Sequence, residues 1–379
     1  MFRFSLAKIV LQKRNLWSSL SLIRFISIDS ITTHHNSFTI SYLINSCGLS
    51  QQKAISVSKK VHFESPTNPD SVLALLKNNG FSDSQISKII AQRPELLASS
   101  VDKTLKPKFD FFNSMGLSGP DLAKALSRQG TVLLSSLEKT IIPNIDSLKS
   151  IFQTDEKVII TIKHYMDVIP CFKTVESNIA ILQSHGVPIS NIQKLLVSQP
   201  RVFLRSASRF SEKVEEVKKM KFDPSKHGFL AAMHVLDAMS RSSLEAKFDL
   251  YKSWGWSEDQ VQCAFRKHPY CMTLSEENIM LTMDSFVNKF GYAASYIAQQ
   301  PTVLLYSCEK RIIPRCSVIQ VLVKNGQLMK APKLGTILML PEDKFLKYIR
   351  GFDKEAPELL SAYKAKAKMN ALDPSCAVL

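Results

Sequence analysis

The sequence repeats a short proline-led apolar motif about every 35 residues, and this periodicity constrains the fold more than any other feature. The clearest copies start at Pro94, Pro200 and Pro301, each followed after one residue by two large apolar side chains. Separated by steps of 32 to 36 residues, the motif's anchor positions are Pro94, Gly130, Met166, Pro200, His234, Pro269 and Pro301. Self-similarity at this period is typical of a solenoid, in which each repeat buries its apolar face by stacking on its neighbours.

Two further features recur with the same period: proline at the start of some first helices and glycine at their ends. Together with the anchor, they divide each repeat into a helix, a turn, a second helix and a short third element. The anchor proline disfavours helix for the residue before it, so it ends the second helix. Residues 153–171 and 218–242 keep the register with a weaker consensus, and we interpret them as eroded repeats. Proline opens some first helices, where it is tolerated, at Pro107, Pro143 and Pro314. Glycine recurs where a left-handed cap would end the first helix, at Gly80, Gly116, Gly186, Gly255, Gly291 and Gly326.

The two ends of the chain differ in composition from the repeats. Residues 1–37 begin with 28 residues that contain five Lys or Arg and no Asp or Glu, a composition typical of an organelle transit peptide. We expect import into the mitochondrion, with the chloroplast as the alternative destination and a retained, disordered basic arm as the alternative structure. Residues 364–379 are predicted to be a basic disordered tail.

Helices that differ from the repeat are expected to cap it, because a solenoid must cover its last apolar face. The expected boundaries are 38–69 for N-terminal capping helices, 70–340 for the repeat array and 341–363 for C-terminal capping helices. Within the caps, helices are expected at residues 38–46, 51–61, 343–348 and 356–363.

No pattern of a catalytic or metal site occurs in the sequence. The seven cysteines never form a Cys-x-x-Cys pair, so neither a disulfide framework nor a zinc site is indicated. There is no His-Glu-x-x-His pair, no glycine-rich phosphate loop and no Gly-x-Ser-x-Gly turn. No apolar run approaches the length of a membrane span. We therefore expect no enzyme activity, no metal, no cofactor and no membrane insertion.

Several segments together resemble the mitochondrial transcription termination factor (mTERF) family, in its expanded plant-type branch. Besides the anchors, these segments are residues 42–49, 137–144, 254–258, 265–269 and 308–315. The resemblance, over about residues 38–363, implies an all-helical superhelix of three-helix repeats in mitochondria or chloroplasts that binds double-stranded DNA or structured RNA. This chain departs from the family pattern where Gly130, Met166 and His234 replace the anchor proline. The expected fold is all-α, a right-curving superhelical solenoid of about seven to eight three-helix repeats of roughly 35 residues.

Basic residues recur at the junctions between the predicted repeats. Of the net charge of +16, residues 1–60 supply +7, so the remainder of the chain is basic as well. Cations at one phase of a solenoid form a row that can follow a phosphate backbone. The alternative is a solvated face whose cations pair with Asp102, Glu138, Glu212 and Glu309. The candidate nucleic-acid-binding residues are Lys103, Lys106, Lys139, Lys173, Arg205, Arg209, Lys213, Lys247, Lys310, Arg311 and Arg315.

The expected function is regulation of organellar transcription termination, transcript processing or splicing by occupancy of double-stranded DNA or structured RNA. We expect the chain to act as a monomer. Two alternatives within repeat proteins are a protein-interaction scaffold and a reader of single-stranded RNA. Proline at two places in the repeat argues against the two-helix arrays that read single strands.

Overall fold

The computed structural model describes residues 38–352 and Tyr363, and these residues form helices without any strand. The predicted transit peptide and basic tail, and most of the predicted helix at residues 356–363, lie outside the described residues. The α-helices are α1 (38–45), α2 (Gln51–Val57), α3 (Thr67–Asn78), α4 (Asp83–Gln92), α5 (Lys106–Ser114), α6 (Gly119–Arg128), α7 (Ile142–Phe152), α8 (Asp155–His164), α9 (Phe172–Ser184), α10 (Ile189–Ser198), α11 (Ala207–Lys219), α12 (His227–Ala238), α13 (Arg241–Ser253), α14 (Glu258–Lys267), α15 (Glu276–Asp284), α16 (Ala294–Gln299), α17 (Ile313–Lys324), α18 (Leu334–Met339) and α19 (Glu342–Arg350).

Helices α3 to α18 are eight consecutive pairs in the described part of the chain, which confirms the predicted all-α repeat. After six of these pairs comes the predicted third element, a short 3₁₀ helix that begins at the anchor. The direction of superhelical curvature stays a prediction. The 3₁₀ helices are Pro94–Ala98, Gly130–Leu134, Met166–Val168, Pro200–Leu204, Pro269–Thr273 and Pro301–Leu305.

The third element buries the apolar pair of each motif. Leu96 and Leu97 are at most 1% exposed, and Val303 and Leu304 are equally buried. A 3₁₀ helix suits this position for two reasons. Such helices are short, and the anchor proline that ends the second helix is tolerated as the first residue of the next one. The motif therefore belongs to the core and leaves function to other residues.

The repeat anchored at His234 has no third element, which corrects the expectation for residues 218–242. Helix α12 passes through His234 and continues to Ala238. His234 keeps the backbone donor and the helical conformation that proline or glycine would disfavour. This repeat therefore consists of two helices.

Left-handed backbone closes the first helix in every pair from α3 to α18. All six predicted turn glycines have positive φ, between 72° and 88°. Where the consensus glycine is absent, Gln153 and Lys221 take its place with φ of 59° and 63°, and no other non-glycine residue in the described part of the chain has positive φ. The turn geometry is therefore kept even in the eroded repeats, against a steric penalty for a side chain.

The contacts divide the chain into two compact units. Of the described residues, the first unit holds 38–176 and 196–204, and the second holds 177–195, 205–352 and Tyr363. In the first unit the second helices α4, α6 and α8 pack on one another in succession, and in the second unit α12, α14 and α16 do so. Stacking of equivalent helices is the packing expected of a solenoid.

Both ends of the described chain have apolar clusters of their own. At the N-terminal end, the ring of Tyr42 packs edge-on against Phe63 at 5.2 Å. Helix α2 ends at Val57, four residues before the predicted end. At the C-terminal end, α19 corresponds to the predicted helix at 343–348 and packs Phe345 and Ile349 into a cluster with Tyr363.

Candidate nucleic-acid interface

A serine six residues after the anchor fixes the start of the first helix in most repeats. The hydroxyls of Ser100, Ser136 and Ser307 accept hydrogen bonds from the backbone N–H groups of the lysines three residues later, at 3.2 to 3.3 Å. A serine cap of this kind satisfies a helix N–H that has no partner within the helix. The bonded lysines are Lys103, Lys139 and Lys310. Sequence reasoning missed this signal, although serine recurs at Ser100, Ser136, Ser206, Ser240, Ser275 and Ser307.

The capped lysines point into solvent from short π-helical segments, each of which runs directly into a first helix and forms its start. These segments are Val101–Leu105 before α5, Leu137–Ile141 before α7 and Cys308–Ile312 before α17. Lys103, Lys139 and Lys310 are all exposed. Lys106 is exposed as well. So is Arg209, which lies three residues after Ser206 and thus takes the place of the capped lysines in its own repeat. None of the five forms an ion pair with another residue that the structure describes. These five candidates therefore keep their full charge available to a ligand.

Four other candidates interact with neighbouring side chains, three of them by direct contact. Arg205 donates two hydrogen bonds to the Asp237 carboxylate, at 2.7 and 3.1 Å. Lys213 donates to Glu216 at 2.7 Å. The guanidinium of Arg311 lies 5.1 Å from the centre of the Tyr306 ring. Hydrogen bonds from its own backbone N–H and from Ser275 lower the pKa of Glu277, and the charge of half-buried Lys247 adds to that shift.

Lys173, the remaining candidate apart from Arg315, is exposed near the start of α9. Three of the four carboxylates expected as local ion partners have other surroundings. Glu212 accepts a hydrogen bond from Ser208 at 3.1 Å, and no ion pair joins Asp102 or Glu138 to a described residue. Acids in the first turn instead lie where the helix dipole favours negative charge.

Arg315 is buried, which removes it from the candidate interface. Its side chain is 0% exposed, and Nη1 donates to the carbonyl oxygens of Ile337 at 2.9 Å and Leu340 at 2.6 Å. Nη2 donates to Glu342 at 2.7 Å, and the guanidinium lies 4.4 Å from the centre of the Phe345 ring. Arg315 therefore joins α17 to the C-terminal helices and has no donor directed to a phosphate.

The residue directly after a junction proline faces the interior in other repeats too. Lys108 follows Pro107, is 5% exposed and donates its ammonium to the carbonyl oxygen of Leu133. Asn144 follows Pro143 and donates to the carbonyl oxygen of Ile169 at 2.8 Å. Each bond ties a first helix to the end of the third element of its own repeat. Arg315 directly follows Pro314, so its place after a junction proline could have identified it as structural. Its positive charge instead led to its selection as a binding residue.

No metal site forms among the described residues. None of their His, Cys, Asp and Glu side chains gathers into a group of three or more that could hold an ion. His164, for example, uses Nδ1 in a hydrogen bond with the carbonyl oxygen of Val197 at 2.8 Å. Within the same part of the chain, every helix is too short or too polar to cross a lipid bilayer.

Comparison with known proteins agrees with the repeat architecture. The sequence model of the family described as mTERF matches residues 73–233 and 171–346. "Transcription termination factor MTERF8, chloroplastic", from Arabidopsis thaliana, is 25% identical over 252 residues, which are 66% of this chain and 50% of that protein. The chain thus matches about half the length of this relative. Because the family match covers most of the helical repeats, the chain belongs to the mTERF family.

Proposed function

We propose that this protein binds double-stranded DNA or structured RNA in an organelle and regulates transcription or transcript maturation by occupying its target. The observation that carries the proposal is the exposed lysine, free of ion pairs with described residues, at the serine-capped start of several first helices. A cation fixed at one place in successive repeats suits a ligand whose charges are also regularly spaced. No bond chemistry is assigned to the chain, and a monomer is the proposed binding form.

Two observations bear on the organelle, and they favour different ones. The acid-free, basic composition of residues 1–28 favours the mitochondrion. The name of the Arabidopsis relative specifies the chloroplast for that protein, and this supports the chloroplast as the destination here. A fluorescent fusion of the full chain in plant cells, imaged with markers for both organelles, decides between them.

A charge-reversal experiment tests nucleic-acid binding. The variant Lys103→Glu/Lys139→Glu/Lys310→Glu is compared with Lys88→Glu/Lys124→Glu/Lys344→Glu, which changes three exposed lysines on other helices by the same total charge. Affinity for a duplex is measured by fluorescence anisotropy between about 50 and 200 mM salt, a range in which phosphate binders weaken steeply. The first variant should bind more weakly, and its salt dependence should flatten by about 0.9 in logarithmic slope for each phosphate that it no longer neutralises.

Two results would contradict the proposal. One is wild-type protein without salt-sensitive binding to duplex DNA or structured RNA at micromolar concentration. The other is equal weakening in the two variants, since this would show a general effect of net charge. Purification from organelles with and without nuclease tests the scaffold alternative, because protein partners that persist after nuclease favour a scaffold.

A further inference from the structure

A groove in the second unit lies between α11 and the next helix pair, α13–α14. Its larger part has a volume of about 420 Å³ and its smaller part a volume of about 200 Å³. Lys219, Met220 and Phe248 line both parts, so the two parts adjoin. Small-molecule sites in proteins are clefts of roughly 300 to 1,000 Å³ that combine an apolar lining with a few polar groups. We call this feature the α11–α13 groove.

Phe248 lies in the α11–α13 groove at a position that other repeats bury. It follows the capping Ser240 of α13 by eight residues. Although its ring packs against Phe265, with ring centres 5.9 Å apart, Phe248 is only half-buried, and so is the neighbouring Met220 of the groove. The α11–α13 groove therefore exposes apolar surface whose removal from water by a ligand is favourable. The equivalent residues, eight or nine after the serine of their own repeats, are at most 3% exposed: Phe109, Ile145, Val214, Met283 and Cys316.

The smaller part of the groove carries two cations without a partner. Lys219 and Arg266 form neither an ion pair nor a side-chain hydrogen bond with another residue that the structure describes. Of the described residues that line this part, none is acidic, since the others are Met220, Phe248, Gln262 and Phe265. Lysine and arginine form their strongest hydrogen bonds with carboxylates and phosphates. Two such cations beside apolar side chains match an anion that carries an apolar body.

Carboxylates line the larger part of the groove, and each of them already pairs with a cation. The pairs, at 2.5 to 3.3 Å, are Lys213–Glu216, Arg241–Glu245, Lys252–Asp249 and Lys252–Glu258. Leu244, which is 4% exposed, belongs to the same lining. The positive charge left without a partner is therefore in the smaller part, and apolar side chains continue from there into the larger part.

We propose that the α11–α13 groove binds a small organic anion with an apolar body. Lys219 and Arg266 hold its carboxylate or phosphate by charge-assisted hydrogen bonds. The apolar body covers Met220 and Phe248 and extends toward Leu244. The site is independent of the proposed function, because none of these five residues is a candidate for nucleic-acid binding.

Methyl NMR on full-length protein labelled at methionine measures binding at the groove. The Met220 signal, assigned by its loss in Met220→Leu, should shift on titration with octanoate or octyl phosphate, and the tighter ligand of the two identifies the head group. Dissociation constants of about 0.1 to 1 mM follow from the size of these ligands. Octanol has the same apolar body without a charge, so it should bind about ten-fold more weakly.

Two matched double variants test the role of the cations. Lys219→Met/Arg266→Met should bring the affinities for the anion and for octanol to within about two-fold of each other, because the bonds to the head group are lost. Lys88→Met/Arg128→Met removes the same charges from exposed residues of the first unit and should keep the preference for the anion. Thermal melting checks that each variant is folded.

Three results would overturn the proposal. The first is a Met220 signal that none of the ligands shifts, and the second is equal affinity of the wild-type protein for octanol and for both anions. The third is a preference for the anion that survives Lys219→Met/Arg266→Met, or one that Lys88→Met/Arg128→Met removes to the same extent. None of these results bears on duplex binding, which the anisotropy experiment tests separately.

Discussion

Lys310 and Arg315 lie five residues apart at the start of one first helix and have opposite surroundings. Lys310 is exposed after a serine cap, whereas Arg315 is fully buried against carbonyl oxygens and Glu342. The helical period explains the difference, because five residues turn the side chain well away from its starting direction. Position relative to the cap and the proline therefore decides the role of each basic residue.

This contrast predicts separate effects of two matched substitutions. Arg315→Met should lower the free energy of unfolding by about 3 kcal/mol, since it leaves buried carbonyl oxygens without a donor. Lys310→Met should leave stability almost unchanged and weaken nucleic-acid binding. Urea denaturation and anisotropy titration of both variants measure the two effects. A stable Arg315→Met protein with reduced binding would contradict the assignment.

Glycine should stabilise the protein at the two left-handed turns that hold a residue other than glycine. Gln153→Gly and Lys221→Gly should each raise the free energy of unfolding by about 0.5 to 1 kcal/mol, because relief of backbone strain exceeds the added chain entropy. Gly116→Ala should lower it by about 1 kcal/mol or more, although a Cβ there meets no atom within 4 Å.

Urea denaturation measures these changes. Lys88→Gly is the matched control, because it places glycine in the interior of α4 at an exposed lysine and should destabilise by about 1 kcal/mol. Equal destabilisation by Lys88→Gly and Lys221→Gly would show that the turn at Lys221 carries no strain.

Burial of His234 and His268 predicts a loss of stability in mild acid. Their pKa values are lowered in the folded protein, so the unfolded chain binds protons first as the pH falls. The contribution of the two uncharged histidines to the free energy of unfolding is fully present above pH 6.5, the ordinary pKa of histidine. It declines as the pH falls from there toward the lowered pKa values. Thermal melting from about pH 7.5 to about pH 5.5 should show this decline, and His234→Asn/His268→Asn should reduce it. An identical decline in the double variant would assign it to other groups.

The residue at the anchor favours or disfavours the third element of a repeat but does not decide it alone, since Met166 also begins a 3₁₀ helix, Met166–Val168. Proline there ends the second helix and starts a 3₁₀ helix, as at Pro94 and Pro301. Glycine serves at Gly130 for a steric reason as well, since a Cβ would lie 2.9 Å from Cγ1 of Ile89. At His234 nothing interrupts the helix, and α12 continues to Ala238.

Restoring the consensus proline in that repeat should therefore destabilise the protein. His234→Pro should lower the free energy of unfolding by about 3 kcal/mol or more, because proline in a helix interior removes a hydrogen bond and clashes with the preceding turn. His234→Ala, which keeps the helix, should have a much smaller effect. Circular dichroism during urea denaturation measures both. A His234→Pro protein as stable as His234→Ala would mean that a third element can form there.

Charge is distributed over the whole molecule in a way that composition does not reveal. The net charge of +16 includes buried Lys108 and Arg315 and the cations that neighbouring carboxylates hold. In each compact unit, exposed lysines at capped helix starts remain, such as Lys103 and Lys139 in the first and Lys310 in the second. The charge relevant to a phosphate ligand is this smaller set.

Periodicity in the sequence was sufficient to predict the repeat, the helix pairs and the turn glycines. Prolines, glycines and the spacing of apolar residues act on the backbone within a few residues of chain. Periodicity did not reveal that Gln153 and Lys221 copy the glycine turn, nor that α12 continues through its anchor. In those cases the packing of adjacent helices overrides a weak local preference.

The direction of individual basic side chains depended on residues far away in sequence. Lys108 and Arg315 turn inward to carbonyl groups 22 to 25 residues further along the chain, and Tyr270 meets His234 36 residues away. Such pairs form only when folding brings a first helix or an anchor against another element, and no local pattern encodes them. Composition and spacing were therefore sufficient to predict the repeated architecture, whereas the make-up of the proposed binding surface followed from contacts between elements.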